Sequence, residues 1–366
     1  MNERPNPDDK ANTMKLQVAI AALAWAIVTS QATAETFTYV SLSGDNAIEI
    51  YHLNDNGKLT FIDTAKTPGD PGGMAVHPSK KFLVAAMRDA GKLVSFAIDA
   101  TNGKLRQINE VPVDVDPAYV EYDKTGQHLL TAYYVTGKAA VHSIESDGTI
   151  ATDGQFYPTA KNAHAIVTDK TNRWAFVPHT GPNSIFQFAF NARTGKLSAN
   201  KNTAQLKFAE NTGPRHFSLH PNNRFGFCDN EQGSSVTAMK FDVGNGTLTP
   251  IQTLPTIPSD FRQPNTCARM LLHPNGKFLY ASNRGHHSIA AFRIDQSTGQ
   301  LDRIGIFPTE KTPRGFDISP SGEFLIAAGQ ASNRLAIYKV MTNGSLKRIG
   351  SCNAGNRPWW VTTVSL

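Results

Sequence analysis

A short turn motif recurs along the whole chain and constrains its fold more than any other feature. Each copy is a polar turn that ends in glycine, followed by one further residue and an aliphatic residue. The aliphatic residues of the seven copies are Leu59, Leu105, Ile150, Leu197, Leu248, Leu301 and Leu346. Successive copies lie 46, 45, 47, 51, 53 and 45 residues apart, which is the length of one four-stranded propeller blade. Seven copies therefore predict seven blades.

Each unit also carries the pattern of a four-stranded antiparallel sheet. An apolar run leads into a tight turn such as "HPNGK", and a second apolar run follows, as in "FLYAS". An alternating strand such as "SIAAFRID" comes next, and the last strand follows the glycine turn. Short strands joined by tight turns, without helical periodicity, are typical of a blade. The sequence therefore predicts an all-β fold, a seven-bladed β-propeller.

The two ends of the chain complete each other. The N-terminal unit, "FTYVSLSGDNAIEIYHL", lacks a first strand, whereas the C-terminal "RPWWVTTVSL" has the pattern of a first strand with nothing after it. Pairing of these segments would close the ring and protect sheet edges that are otherwise open. We therefore expect the C-terminal strand to pair with the N-terminal blade.

The N-terminus has the pattern of an export signal. A lysine precedes an apolar stretch from Leu16 to Val28, and Ala32 and Ala34 supply the small residues of a cleavage site. The apolar stretch, 13 residues, is too short to span a bilayer comfortably. We predict a signal peptide over residues 1–34, a single propeller domain over residues 35–366, and a periplasmic or secreted mature protein without membrane attachment.

Charge and motifs narrow the classes of partner. The formal net charge is +6, but the lysines and arginines are scattered, so we expect no nucleic-acid partner. A preference for anionic small molecules fits this charge better. The chain has no P-loop, no dinucleotide-binding fingerprint and no Gly-x-Ser-x-Gly elbow, and we predict no cofactor. Cys228, Cys267 and Cys352 lack metal-ligand spacing and support no disulfide assignment.

Polar residues recur at two places in the blade pattern. The innermost strand of a blade crosses from one face to the other and the second strand returns, so the start of strand one and the end of strand two share a face near the axis. At the start of strand one, which we call the first ring, successive units carry Gly72, Ala118, His164, Arg215, Ala268 and Arg314. At the end of strand two, the second ring, they carry Ser43, Arg88, Tyr134, Thr180, Glu231, Arg284 and Gln330.

The two rings bring together four arginines and a single acid. Like charges at close range are destabilising unless an anion joins them. The rings therefore predict a site for an anionic or oxyanion-forming small molecule, with an ordinary wet, polar lining as the alternative.

The remaining histidines receive other interpretations. His77, His220 and His273 lie in turns on the opposite face and are interpreted as structural. The pair His286–His287 would need further ligands to hold a metal, and no metal site is predicted. The role of His216 stays open: one residue after Arg215, its side chain should point elsewhere by strand alternation and serve only to support its neighbour.

Four stretches identify a family resemblance. "GPRHFSLHP", "NEQGSSV", "LYASNRGHHSIAAFRID" and "KTPRGFDISPSGEFLIAAGQ" resemble the seven-bladed propeller lactonases, which include bacterial propeller-type 6-phosphogluconolactonases and fungal carboxymuconate-lactonizing enzymes. An exported chain of this type is most similar to a periplasmic gluconolactonase. The family's functional residues fall here on His164, Arg215, Glu231 and Arg284. The family often has His-Ala-His where this chain has Asn162 in the first position, which leaves the proton-transfer assignment open.

The resemblance implies an enzyme that hydrolyses a sugar δ-lactone, of the gluconolactone or 6-phosphogluconolactone type, to the aldonic acid. Glu231 or His164 would act as the base, and Arg215 and Arg284 would contact the carbonyl oxygen. Substrate binding falls to Arg88, Tyr134, Arg314 and Gln330, and the expected partner is an anionic or polyhydroxylated lactone. A muconate-type lactonizing cycloisomerase and a non-enzymatic exported binding module remain as alternatives.

Overall fold

The computed structural model describes Met1 and residues 34–366. Within these residues there is no helix, and the strands form seven antiparallel sheets whose first strands contact one another around a central channel. The predicted seven-bladed β-propeller is confirmed. This part of the chain accordingly contains no apolar helix that could cross a membrane. Residues 2–33 of the predicted signal peptide lie outside the described residues, and the domain boundary at Ala34 stays a prediction.

In the described residues, twenty-nine strands build the blades. Blade 1 contains β1 (Thr36–Leu42), β2 (Ala47–Leu53), β3 (Leu59–Lys66) and β29 (Pro358–Ser365). Blade 2 contains β4 (Pro71–Val76), β5 (Phe82–Met87), β6 (Lys92–Ile98) and β7 (Leu105–Pro112). Blade 3 contains β8 (Pro117–Tyr122), β9 (His128–Tyr133), β10 (Lys138–Ser143) and β11 (Gln155–Pro158). Blade 4 contains β12 (Val167–Thr168), β13 (Trp174–His179), β14 (Ser184–Asn191), β15 (Lys196–Ala199) and β16 (Gln205–Lys207).

The other three blades have four strands each. Blade 5 contains β17 (Pro214–Leu219), β18 (Phe225–Asn230), β19 (Ser235–Asp242) and β20 (Thr247–Pro255). Blade 6 contains β21 (Cys267–Leu272), β22 (Phe278–Asn283), β23 (Ser288–Ile294) and β24 (Leu301–Pro308). Blade 7 contains β25 (Pro313–Ile318), β26 (Phe324–Gly329), β27 (Arg334–Val340) and β28 (Leu346–Asn353).

Two irregular segments explain the two long repeat spacings. In blade 4 the outer strand is divided, because β15 pairs with one end of β14 and β16 pairs with the other. In blade 5 an eleven-residue connection, residues 256–266, joins β20 to the next blade. Both insertions lie outside the inner strands.

The ring closes as expected from the two incomplete ends. β29 pairs antiparallel with β1, from Thr36 opposite Ser365 to Leu42 opposite Pro358. The C-terminal strand thereby becomes the innermost strand of blade 1, in the sheet order β29-β1-β2-β3.

The glycine of the repeated turn has a packing reason in every blade. Gly103, for example, has a φ of 70°, a conformation that glycine adopts without steric cost. A Cβ at that position would also overlap the ring of Phe37, which belongs to the preceding blade. The same overlap occurs for Gly57, Gly148, Gly246, Gly299 and Gly344 against Phe324, Phe82, Trp174, Phe225 and Phe278. A Cβ at Gly195 would lie in tight contact with His128, at 3.0 Å.

We call the channel end where strand one begins the upper rim, and the end with the turns between strands one and two the lower rim. Hydrogen bonds join neighbouring blades at the lower rim. The Nε2 atoms of His220 and His273 each lie 2.8 Å from a turn carbonyl of the next blade, Gly276 O and Gly322 O. His77 has the same contact at 3.1 Å with Gly126 O. The three histidines thus have the structural role predicted for them.

Candidate active site

The structure brings both predicted rings to the upper rim. Every second-ring residue directly follows the second strand of its blade, as Glu231 follows β18 and Arg284 follows β22. First-ring residues stand at the second position of strand one, as Arg215 does in β17, while His164 precedes the short β12. The sequence-derived geometry of the rim is therefore correct.

A β-bulge in strand one was not visible in the sequence. In β17 the pairing shifts between Pro214 and Phe217, so Arg215 and His216 together oppose the single residue Asp229. A bulge of this kind suspends the alternation of side chains. His216 consequently turns into the channel, with its Nδ1 atom 3.2 Å from Nη1 of Arg215. The expectation that His216 points elsewhere is wrong.

Glu231 is held between two arginines at the centre of the site. Arg215 Nε donates to Glu231 Oε2 at 3.0 Å, and Arg284 Nη2 donates to Glu231 Oε1 at 2.5 Å. Burial alone would raise the pKa of Glu231, but the two arginines outweigh it and hold that pKa below its ordinary value. Burial lowers the pKa of Arg215 to about 10, which leaves it a cation near neutral pH. The cluster therefore presents two arginines and one ionised carboxylate.

Two buried histidines lie beside this cluster. The ring centroids of His164 and His216 are 5.2 Å apart, and the rings meet edge to face. Burial, and then the charge of Arg215, lower the pKa of both histidines well below the ordinary value. His216 Nδ1 faces an arginine, which can only donate, so it is the unprotonated acceptor of that ring. Both imidazoles are therefore neutral near pH 7, and each keeps one unprotonated ring nitrogen.

Arg88 and Arg314 form a second cationic group nearer the outside. Their guanidinium carbons lie 5.3 and 3.7 Å from the centroid of the Trp359 ring. Arg88 Nε donates to Asp116 at 2.5 Å, whereas Arg314 has no carboxylate within 4.0 Å among the described residues. A Cβ at Gly72 would lie 2.8 Å from Arg88 Cδ, so this glycine leaves room for the arginine.

The outer group lines an open cavity of about 450 Å³. Trp359 and Arg357 form part of its wall, together with Asp70 and Asp89. Burial, followed by the neighbouring arginines, lowers the pKa of Arg314 well below the ordinary value. A half-buried cation without a carboxylate partner, at the wall of a cavity, is suited to an anionic group of a ligand.

The other predicted substrate-binding residues differ in their placement. Tyr134 packs edge to face on His164, with ring centroids 5.5 Å apart, and therefore belongs to the site. Gln330 stands at its rim position, but its side chain makes no hydrogen bond to another described residue. Asn162 has a φ of 63°, and its backbone bonds to Tyr134 and Thr180. It therefore shapes the turn before His164.

Sequence reasoning missed several residues of the site. Trp359 completes the first ring, because Pro358 of β29 corresponds to the prolines that begin β4, β8, β17 and β25. Aligning the C-terminal strand with the other first strands would have revealed it. Asp116 precedes a first strand in a connection between blades, outside both rings, and no pattern marked it.

The pair His286–His287 and the cysteines of the described part of the chain have structural surroundings. It contains no group of three or more His, Cys, Asp or Glu side chains arranged to hold a metal ion. His286 contacts Ser288, and His287 accepts the amide of Thr312. Burial raises the pKa of Cys228 well above its ordinary value, so this thiol stays protonated.

Comparisons with known proteins agree with this geometry. The family model described as lactonase, 7-bladed beta-propeller, matches residues 24–115 and 91–363. A 6-phosphogluconolactonase of Pectobacterium carotovorum is 32% identical over 329 residues, which cover 90% of this chain and 98% of that protein. One of Enterobacter sp. strain 638 is 32% identical over 324 residues, with coverages of 88% and 97%.

A solved structure shows the same fold. The periplasmic gluconolactonase of Pseudomonas aeruginosa superposes with a TM-score of 0.84 at 23% identity, over 90% of this chain and 99% of that one. The resemblance seen in the sequence is confirmed by the family match and by these relatives. This chain belongs to the seven-bladed β-propeller lactonase family.

Proposed function

We propose that this enzyme hydrolyses a sugar δ-lactone to the aldonic acid at the upper rim. One observation carries the proposal: the Glu231 carboxylate is fixed between Arg215 and Arg284 beside the neutral imidazole of His164. Lactone opening needs an activated water and stabilisation of a tetrahedral oxyanion, and these residues supply both. The relatives named 6-phosphogluconolactonase favour hydrolysis over the lactonizing cycloisomerase and over the non-enzymatic binding module.

His164 is the better candidate for the base. Both oxygens of Glu231 already accept arginine N–H groups and are therefore engaged in ion pairs. His164 Nδ1, in contrast, has no hydrogen-bond partner among the described residues. His164 would take a proton from water as the water oxygen attacks the carbonyl carbon. Arg215 and Arg284 would stabilise the oxyanion, and the histidine would return the proton to the ring oxygen as the ester bond breaks.

Single substitutions test these roles. We expect Arg215→Met or Arg284→Met to lower kcat by about 10²–10³-fold, and His164→Phe by about 10²–10⁴-fold. Acid release from gluconolactone and 6-phosphogluconolactone would be followed with a pH indicator and corrected for spontaneous opening. Arg293→Met, on an exposed position of β23, is the matched control. Near-wild-type rates in all three site variants would refute the proposal.

A substitution of Arg314 tests whether the substrate is a free or a phosphorylated sugar lactone. Because it has no acidic partner within 4.0 Å among the described residues, it is the residue best suited to a phosphate of the substrate. Arg314→Met should then raise KM for 6-phosphogluconolactone far more than KM for gluconolactone. Equal increases for both substrates would show that Arg314 binds a group common to them.

Export is a separate proposal that the N-terminal sequence supports. A lysine, a short apolar stretch and small residues before Glu35 favour a cleaved leader and a periplasmic or secreted enzyme. Mass spectrometry of the protein recovered from the producing cell tests it, since cleavage after Ala34 fixes the mature mass. An intact N-terminus would contradict export by this route. The absence of nucleic-acid and membrane partners stays a prediction.

A further inference from the structure

A second cavity opens at the lower rim, at the other end of the channel. It has a volume of about 540 Å³, within the range of small-molecule sites. Its walls come from four neighbouring blades, through residues of β8, β12, β17 and β21 and the turns that follow β8, β12 and β17. The buried side chains of Tyr119, His216 and Trp360 pack together in the channel and stand between this cavity and the cluster around Glu231.

Arg269 is the central residue of this lower cavity. The pairing of β21 shifts between Cys267 and Met270, so a bulge like that of β17 turns Arg269 into the channel. The residue is only 8% exposed, yet no carboxylate lies within 4.0 Å of its guanidinium among the described residues. Its Nε atom has no hydrogen-bond partner there either. The guanidinium carbon lies 3.8 Å from the centroid of the Trp360 ring.

Glu121 and Asp317 lie more than 4.0 Å from the Arg269 guanidinium and accept hydrogen bonds from other groups, although the charge of Arg269 opposes the burial that raises the pKa of Asp317. Glu121 accepts the Tyr119 hydroxyl at 3.0 Å and Lys124 Nζ at 3.3 Å. Asp317 accepts the backbone N–H of Thr363 at 2.7 Å. The stacked Trp360 ring offsets only part of the cost of burying a guanidinium. A nine-tenths buried arginine without an ion pair, at the wall of a cavity, is arranged to meet an anion that enters from outside.

The remaining wall of the lower cavity indicates what the uncharged part of the bound anion would be. Five apolar side chains line the wall, those of Val167, Phe217, Leu219, Leu271 and Leu272. Among the polar side chains beside them, Glu121 and Lys124 form an ion pair with each other. Lys170 adds a cation at the exposed edge. A polyhydroxylated sugar acid would leave its hydroxyl groups against aliphatic carbon, whereas an aromatic or aliphatic carboxylate would match both parts of the wall.

We propose that the lower cavity is a binding site for a small organic anion, a carboxylate with an apolar or aromatic body, separate from the lactone site. Its carboxylate pairs with Arg269, and its apolar body packs against the leucines of β17 and β21. This site is independent of the proposed reaction, because its residues do not touch Glu231 or Arg284.

Calorimetric titration with benzoate tests the proposal. We expect saturable binding of benzoate with a Kd of about 1–10 mM, as suits so small a ligand. Benzamide, which has the same shape without the charge, and acetate, which has the charge without the ring, should each bind at least about tenfold more weakly. Benzamide binding as tight as that of benzoate would overturn the proposal, and so would an absence of saturable benzoate binding.

Two variants and one control locate the site. Arg269→Met should weaken benzoate binding at least about tenfold. Leu272→Glu, at a half-buried position of the same wall, should also weaken benzoate binding, because its carboxylate repels that of benzoate. This variant tests the site even if Arg269→Met fails to fold. Arg284→Met, at the upper rim, should leave the Kd unchanged. Loss of binding in Arg284→Met with retention in Leu272→Glu would assign benzoate to the upper site and refute a lower one.

Discussion

Replacing Asp229 by serine should change how the stability of the propeller depends on pH. Asp229 is fully buried opposite the bulge of β17, and its Oδ1 atom accepts the backbone N–H of His216 at 2.6 Å. Two other blades use serine for this task, since Ser282 Oγ accepts the N–H of Arg269 and Ser41 Oγ accepts that of Trp360, both at 3.0 Å. Serine at position 229 therefore keeps the hydrogen bond and removes the buried carboxyl.

The magnitude follows from the pKa of that carboxyl. Burial raises the pKa of Asp229 from 3.8 to about 7, although Arg215 acts in the opposite direction. Between about pH 4 and pH 7 the folded protein therefore keeps a proton that the unfolded chain has already released. The contribution of Asp229 to the free energy of unfolding falls as the pH rises from about 4 to about 7. Two-state proton linkage with these values gives a loss of roughly 2.5 kcal/mol between pH 5 and pH 7.5. The free energy of unfolding of Asp229→Ser, relative to that of the wild type, should therefore rise by that amount between pH 5 and pH 7.5.

Urea denaturation of both proteins at pH 5 and pH 7.5 measures this difference. The histidines with lowered pKa values shift the stability in the opposite sense, but they are present in both proteins and cancel in the comparison. Ser282→Ala is the control: it removes the corresponding hydrogen bond in blade 6 and should cost about 1 kcal/mol at either pH. A change below about 0.5 kcal/mol between the two pH values, the usual limit of additivity, would refute the reasoning.

Three further predictions test the ring and its upper rim. Deleting residues 357–366 removes β29 from blade 1, and we expect a lower Tm and loss of lactonase activity together; an unchanged Tm would contradict closure by this strand. His220→Leu leaves the Gly276 carbonyl without its partner, so the free energy of unfolding should fall by about 1–3 kcal/mol while kcat stays the same, as urea denaturation and activity assays would measure. Gly72→Ala crowds Arg88 Cδ, so KM should rise with little change in Tm, and an unchanged KM would show that Arg88 does not bind the substrate.

The number of blades could be predicted because the turn glycine that marks each repeat is subject to two separate structural constraints. The turn glycine must adopt a positive φ and must also lie against an aromatic or histidine ring of the preceding blade, as Gly246 does against Trp174. A residue under two constraints recurs even where its neighbours vary. The ring closure was predictable for a related reason, since neither terminal segment could satisfy its strand edges alone.

The contents of the channel could be predicted only in part. Arg215, Glu231 and Arg284 were correctly brought together because the direction of the two inner strands determines which ends meet. Simple alternation then failed at His216, since the bulge makes two consecutive residues face the channel. Nothing in an alternating pattern marks a bulge. The one available signal was a pair of large polar or aromatic residues where a strand should carry only one, as in Trp359–Trp360.

Closure of the ring by the C-terminal strand also dictates when the site can form. Arg88 lies in blade 2, and the Trp359 ring that separates it from Arg314 belongs to the last strand. Arg88 therefore meets Arg314 only when β29 pairs with β1, so the repulsion between these two arginines opposes closure of the ring. A multivalent anion that screens this repulsion should therefore accelerate the closure of the ring.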